Sequence, residues 1–191
     1  MKIVGFASDS GPRLGLIEGE EVVDLCAADP RVPGDLGSWL VAHDGDLAPL
    51  AAIAARAPAA ARRPLAGLAF GLPVARPGKI ICLGLNYLEH AKEGGHQKPE
   101  FPSIFMRCLT SLVPHQSPII RPAASETLDY EAELVIVIGR RTKHATLANA
   151  SPASPAMPAS MMARSASSSA AAVSGTWARI LTALAASGPS W

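Results

Sequence analysis

The segment Leu128–Gly139, LDYEAELVIVIG, constrains the fold of this chain more than any other. In an extended backbone successive side chains point to opposite faces, so Glu131, Glu133, Val135 and Val137 share one side. Tyr130, Ala132, Leu134, Ile136 and Ile138 take the other. Two carboxylates on adjacent same-face positions of so apolar a strand repel one another and lose hydration unless a cation or protons neutralise them. A hard divalent metal held by oxygen ligands (magnesium, calcium or manganese) meets that need better than zinc, which prefers nitrogen and sulfur. An edge strand with both carboxylates facing water meets it equally well. Spacing alone leaves the two readings open.

The 191 residues suffice for one ordinary domain or two small ones. A net charge of +1 with scattered basic residues offers no stripe to follow a phosphate backbone, so no nucleic-acid partner is expected. No run of about 18 apolar residues is present, and MKIVGFASDS turns polar too early for a signal peptide. The expectation is a soluble cytoplasmic protein with no membrane segment. Cys26, Cys82 and Cys108 are odd in number, lack CxxC spacing and sit in or beside apolar segments, which predicts buried reduced thiols.

Lys2–Ala7, Arg13–Ile17 and Glu20–Leu25 are short β-branched-rich runs separated by turn compositions, and predict an antiparallel meander. Asp35 is placed to cap a helix carrying Leu36, Trp39 and Leu40, and Asp46 one running through LAPLAAIAARA. Prolines 64, 73 and 77 then interrupt the pattern and place a boundary near Pro73–Gly78. Lys79–Leu83 is a continuous apolar run suited to a strand buried on both faces, and Ser103–Arg107 and Pro118–Arg121 read as further short strands.

Between the first two of these strands, LEHAKEGG predicts a short helix closed by Gly94 and Gly95, with His90 and Glu93 on one face. A carboxylate beside an imidazole orients it and favours its protonated form, as a base that deprotonates water requires. The same pair also reads as a solvated surface contact.

RLGLIEGEEVVDL, RPGKIICLGLNYLEHAKE, FPSIFMR with its downstream PIIRP, and LDYEAELVIVIGRR, in that order and spacing, resemble the fumarylacetoacetate hydrolase family from Met1 to about Lys143 or His144. The resemblance implies an α+β, β-rich fold. It has a small N-terminal α/β domain (1–73), an incomplete mixed β-sheet core of the family's β-sandwich roll type (74–147), and an irregular tail (148–191). It implies that Glu131 and Glu133 match two of three carboxylate ligands of a magnesium, calcium or manganese site, and that His90 and Glu93 match a water-activating dyad. Arg107 stands where the family commonly has lysine. The implied activity is metal-dependent hydrolysis of a carbon–carbon bond in a 2-oxo or 1,3-dicarbonyl acid, by a homodimer when full length. Isomerisation or decarboxylation of related acids is the alternative within enzymes, and a noncatalytic binding remnant the alternative outside them.

From Ala148 the chain becomes an alanine- and serine-rich tail without either regular periodicity. The genetic code offers a second reading of it. Joining the last base of each codon to the first two of the next forces alanine across Met157 and Pro158, aspartate across Met161 and Met162, and glycine across Met162 and Ala163 and across Trp177 and Ala178. With permitted synonymous bases, 153–166 reads VAGYACFNDGSVR, and 173–189 reads QW, one free position, then LGKNFDGTGGFGP. Both strings resemble the family's continuation, with the forced aspartate at its third metal-ligand position and the lysine of GKNF at a substrate-binding position. The expectation is a frame break between about Lys143 and Ala153, and a truncated, inactive product with unpartnered strands at Lys79–Leu83 and Tyr130–Ile138.

Overall fold

The structure, a computed structural model, describes residues 1–146 apart from Lys98, Pro122 and Ser125, together with two later strand segments, 160–165 and 178–180. For His90, Glu93, residues 129–132 and both later segments, only the backbone is described.

Alternation in the first three strands lets one sheet bury both of its faces. Strands β1 (Ile3–Ser8), β2 (Gly11–Glu18) and β3 (Glu21–Asp24) form the predicted meander, extended by β4 (Arg62–Pro64) and β5 (Phe70–Gly71) into the order β4-β3-β2-β1-β5. Leu16 lies opposite Val23, and both enter a core with Leu36, Trp39, Leu40, Leu50 and Ile53 from the helices. Ile17 and Val22, one step along, face the other way and pack with Val4, Phe6 and Leu68.

Asp24 ends β3 and caps α1 (Leu25–Ala28), accepting from the Ala27 N–H at 3.0 Å; this short helix stands where the sequence predicts only the end of a strand. Asp35 caps α2 (Leu36–Ala42) as expected, accepting from the Ser38 N–H at 2.7 Å. Its other oxygen accepts from the Ala75 N–H at 2.7 Å. In α3 (Ala48–Ala55) the cap position falls to Leu47; Asp46 stands one residue earlier and accepts from the Ala48 N–H. Pro49, in the first turn, has no N–H to satisfy, so the shift leaves no donor stranded there.

Beyond residue 78 two smaller sheets follow. Strand β6 (Ile81–Gly84) pairs antiparallel with β7 (Ser103–Met106), and α4 (Leu88–Glu93) lies between them in sequence. Among the described residues this sheet has two strands, and Cys82 is buried while Ile81 and Leu83 are exposed, which corrects the expectation of a strand covered on both faces. No strand forms at Pro118–Arg121, where Ile120 is exposed. The other sheet is mixed, in the order β8 (Leu112–Val113), β11 (Ala178–Ile180), β10 (Ser160–Ser165), β9 (Leu128–Glu133). Among the described strands of this sheet only the β8–β11 pair is parallel. The expected irregular tail therefore contributes two strands, and β9 has a partner in β10. Among the cysteines Cys82 is buried, Cys26 half-buried with its thiol pKa raised by burial, and Cys108 exposed, so the expectation of three buried thiols fails at Cys108. Cys26 and Cys108 are free thiols. Among the described residues no helix is long and apolar enough to cross a membrane.

Candidate active site

The candidate residues sit on α4 and β9, and the chain ties those two elements together. Leu85, in the loop after β6, adopts a left-handed conformation (φ 53°) that a branched side chain rarely takes. Two residues on, the Tyr87 hydroxyl accepts from the Leu134 N–H at 3.3 Å. Leu134 directly follows Glu133, so the loop that starts the His90 helix also touches the end of the carboxylate strand. The Tyr87 carbonyl in turn accepts the Ala91 N–H of the helix at 3.0 Å. The sequence marks GLNY as a family word and gives Tyr87 no such contact. A tyrosine just ahead of a short helix is the available signal.

This contact falls on the residue directly after the strand. The sequence pattern predicts an extended run through Gly139, whereas β9 is Leu128–Glu133. Alternation persists past that point: Leu134, Ile136 and Ile138 are exposed, while Val135 and Val137 are half-buried. Val137 packs against the N-terminal core. Arg140 then pairs with Asp44 at 3.1 Å and donates from Nε to the Asp44 carbonyl at 2.9 Å. The carboxylate segment is thus gripped beyond its end by the N-terminal sheet and helices.

His90 and Glu93 fall on α4, three residues apart, and Glu131 and Glu133 on β9, two apart, as the sequence predicts. The side chains of His90, Glu93 and Glu131 lie outside the described atoms, and Glu133 is half-buried. Arg107 closes β7, buried, with Nε donating to the Ser111 hydroxyl at 3.4 Å and its backbone N–H to the Ile80 carbonyl at 3.1 Å. Among the described residues no group of three or more His, Cys, Asp or Glu side chains gathers as a metal site would. Opposite β9, the register sets Met162 against Glu131, Met161 against Ala132 and Ser160 against Glu133. A thioether is a poor ligand for a hard cation, so this stretch of β10 adds no carboxylate to the pair on β9. Among the described residues, those present do not complete a magnesium, calcium or manganese site.

Residues 79–154 match the family model of the fumarylacetoacetate hydrolase C-terminal domain. The chain belongs to the fumarylacetoacetate hydrolase family. The matched region continues about ten residues beyond His144, where the resemblance of the sequence words ends. The human protein named oxaloacetate tautomerase FAHD2A, mitochondrial, is 35% identical over 155 residues, which are 78% of this chain and 48% of that protein. A fumarylacetoacetate hydrolase domain-containing protein 2 homolog from Dictyostelium discoideum is 33% identical over 153 residues, 78% of this chain and 50% of its own length. Among solved structures, a fumarylacetoacetate hydrolase from psychrophilic Exiguobacterium antarcticum superposes with TM-score 0.61 at 27% identity, over 85% of this chain and 55% of that one. Maleylpyruvate hydrolase from Sphingobium sp. SYK-6, solved with manganese(II) and pyruvate, gives 0.62 at 25% identity, over 85% and 58%. The chain therefore spans about half the length of the relatives it matches.

Proposed function

We propose that the coding sequence of this chain specifies, across two reading frames, a metal-dependent enzyme acting on the enolate of a 2-oxo or 1,3-dicarbonyl acid, with hydrolysis of a carbon–carbon bond as its reaction. The 191-residue product as written is an inactive form of it. The observation that carries this reading is the register of the last strands. The aspartate forced across Met161 and Met162 in the displaced frame falls opposite Ala132 and Glu131. The lysine read across Ala178 and Arg179 falls on β11 opposite Met162 and Ala163. A frame-corrected chain with this pairing brings a third carboxylate and a cation beside Glu131 and Glu133, the hard-oxygen set that the chain as written lacks.

In that corrected protein a bound divalent ion supplies electrostatic stabilisation of negative charge on the substrate oxygens. In this reading His90, on α4, takes a proton from the attacking water, and Glu93, three residues on, orients the imidazole and stabilises its charged form. The manganese and pyruvate of the Sphingobium maleylpyruvate hydrolase structure support the metal and the 2-oxo acid class. The names of the sequence relatives favour a second reading, tautomerisation, which uses the same enolate without water attack.

Restoring the frame by one base and assaying the product with an acylpyruvate and with oxaloacetate, with and without manganese, tests both. The first reading expects metal-dependent loss of acylpyruvate, abolished by His90→Ala, and the second turnover of oxaloacetate alone. Metal-dependent acylpyruvate cleavage by the uncorrected 191-residue chain, at the rate of full-length relatives, would overturn the proposal.

A further inference from the structure

Tyr87 bonds through its backbone to one half of the candidate site and through its side chain to the other. Its carbonyl accepts the Ala91 N–H at 3.0 Å, which closes the first turn of α4, and His90 stands within that turn. Its hydroxyl accepts the Leu134 N–H at 3.3 Å. That N–H belongs to the same planar peptide unit as the Glu133 carbonyl, so the bond fixes the backbone on the C-terminal side of Glu133. The ring itself is 45% exposed, so the hydroxyl contact outweighs ring burial at this position. Two residues earlier, Leu85 holds a left-handed φ of 53°, a strain that persists only where the surroundings fix the turn, and this turn delivers Tyr87 to the strand. Further along, Val137 packs on the N-terminal core and Arg140 pairs with Asp44 at 3.1 Å. Those two contacts tie the segment after Glu133 to the N-terminal part of the chain, whereas Tyr87 ties it to α4.

We propose that Tyr87 is a positioning residue, whose hydroxyl sets the helix carrying His90 against the strand carrying Glu131 and Glu133. The inference rests on the proposed function, in which a base on α4 and carboxylates on β9 act on one substrate. Proton transfer falls off steeply when the base drifts from the reacting group, so the register between α4 and β9 governs the rate. Tyr87→Phe isolates this role. It keeps the ring and the carbonyl that accepts from Ala91, and removes only the acceptor for the Leu134 N–H.

Amide hydrogen exchange in the 191-residue chain, resolved by NMR, reads the link without any catalysis. Tyr87→Phe should speed exchange at Leu134 about tenfold and at Ala91 about threefold, and leave unchanged the Ile17 N–H, which donates to the Lys2 carbonyl in the N-terminal sheet. A Leu134 or Ala91 rate that does not change overturns the proposal. Equal acceleration at all three amides makes Tyr87 a general stabiliser and overturns it as well. In the frame-corrected protein with manganese, Tyr87→Phe should lower kcat about tenfold and leave KM within about twofold, because the hydroxyl orients the site without touching substrate. An unchanged kcat, or a loss confined to KM, overturns the assignment and leaves the functional reading intact. A corrected protein with Tyr87 in place that turns over neither an acylpyruvate nor oxaloacetate overturns that reading and the proposal with it.

Discussion

Asp24 should be the most expensive single side chain to alter in the N-terminal sheet. Its carboxylate is fully buried and accepts from Arg13 Nε at 3.1 Å to each oxygen, from Arg13 Nη2 at 3.0 Å, from Arg63 Nη2 at 3.0 Å and from the Ala27 N–H at 3.0 Å. It therefore joins β2, β3, β4 and the start of α1 at one point. Replacing it by asparagine keeps the shape and one acceptor for the helix cap, but turns the second oxygen into a donor facing two guanidinium groups. Removing one partner of a buried ion pair costs about 3–5 kcal/mol. The arginines are 20% and 41% exposed and regain some water, so Asp24→Asn should fall at the low end, about 3 kcal/mol. Asp24→Ala also loses the cap and should cost about 1 kcal/mol more. Urea unfolding followed by far-ultraviolet circular dichroism measures both, with Arg63→Met completing a double-mutant cycle. A loss below about 1 kcal/mol for Asp24→Ala would refute the claim that this carboxylate organises the sheet.

Other consequences follow from the same geometry. Arg31 donates to Asp29 through Nε and Nη2 at 2.9 and 2.7 Å and holds its carboxyl down to about 2. Because the folded value lies below the ordinary 3.8, this contribution to stability is complete above that value and is lost as pH falls toward 2; Arg31→Gln should return the Asp29 titration, followed by carboxyl NMR, most of the way to 3.8. Gly45 combines φ 81° with a close approach to Gly139, where an added Cβ would stand 3.4 Å from the Gly139 oxygen. Gly45→Ala should therefore cost about 1–2 kcal/mol in chemical denaturation and loosen the grip on the segment after β9. In the frame-corrected protein, Glu131→Gln and Glu133→Gln should each weaken manganese binding by about tenfold or more, as titrated by electron paramagnetic resonance, while the 191-residue chain shows little binding with or without them.

The parts legible in the sequence are those fixed by local chemistry. Ile3 to Asp24 reads as strands because its apolar and β-branched runs are buried on both faces of the sheet, and Asp35 caps α2 because a carboxylate two or three residues ahead of free helix N–H groups is recruited wherever it stands. Gly95, at φ 71°, ends the turn after α4 as the Gly-Gly pair predicts. Where sequence and structure part, the cause is a partner distant in the chain. Lys79–Leu83 looks like a strand covered on both faces, but the hairpin it joins leaves Ile81 and Leu83 exposed. The extended run is strand only to Glu133, and the next N–H, that of Leu134, meets Tyr87, 47 residues away. The pairing of Ser160–Ser165 with β9 is invisible to any period, since Met, Ala and Ser in that stretch alternate in neither helix nor strand fashion. Of the candidate site, the placement of His90 and Glu93 on one short helix and of Glu131 and Glu133 on one strand comes from spacing and family resemblance. The contact linking helix and strand comes only from the structure.

The nucleotide sequence across codons 140 to 190 tests the central claim most directly. The displaced frame should be open and encode VAGYACFNDGSVR and LGKNFDGTGGFGP. That requires T as the third base of the Ala156 codon, A as the third base of the Ala178 codon, and AGA for Arg179. Third bases that put a stop in that frame, or residues other than tyrosine across Ala156 and Met157 and lysine across Ala178 and Arg179, would contradict it.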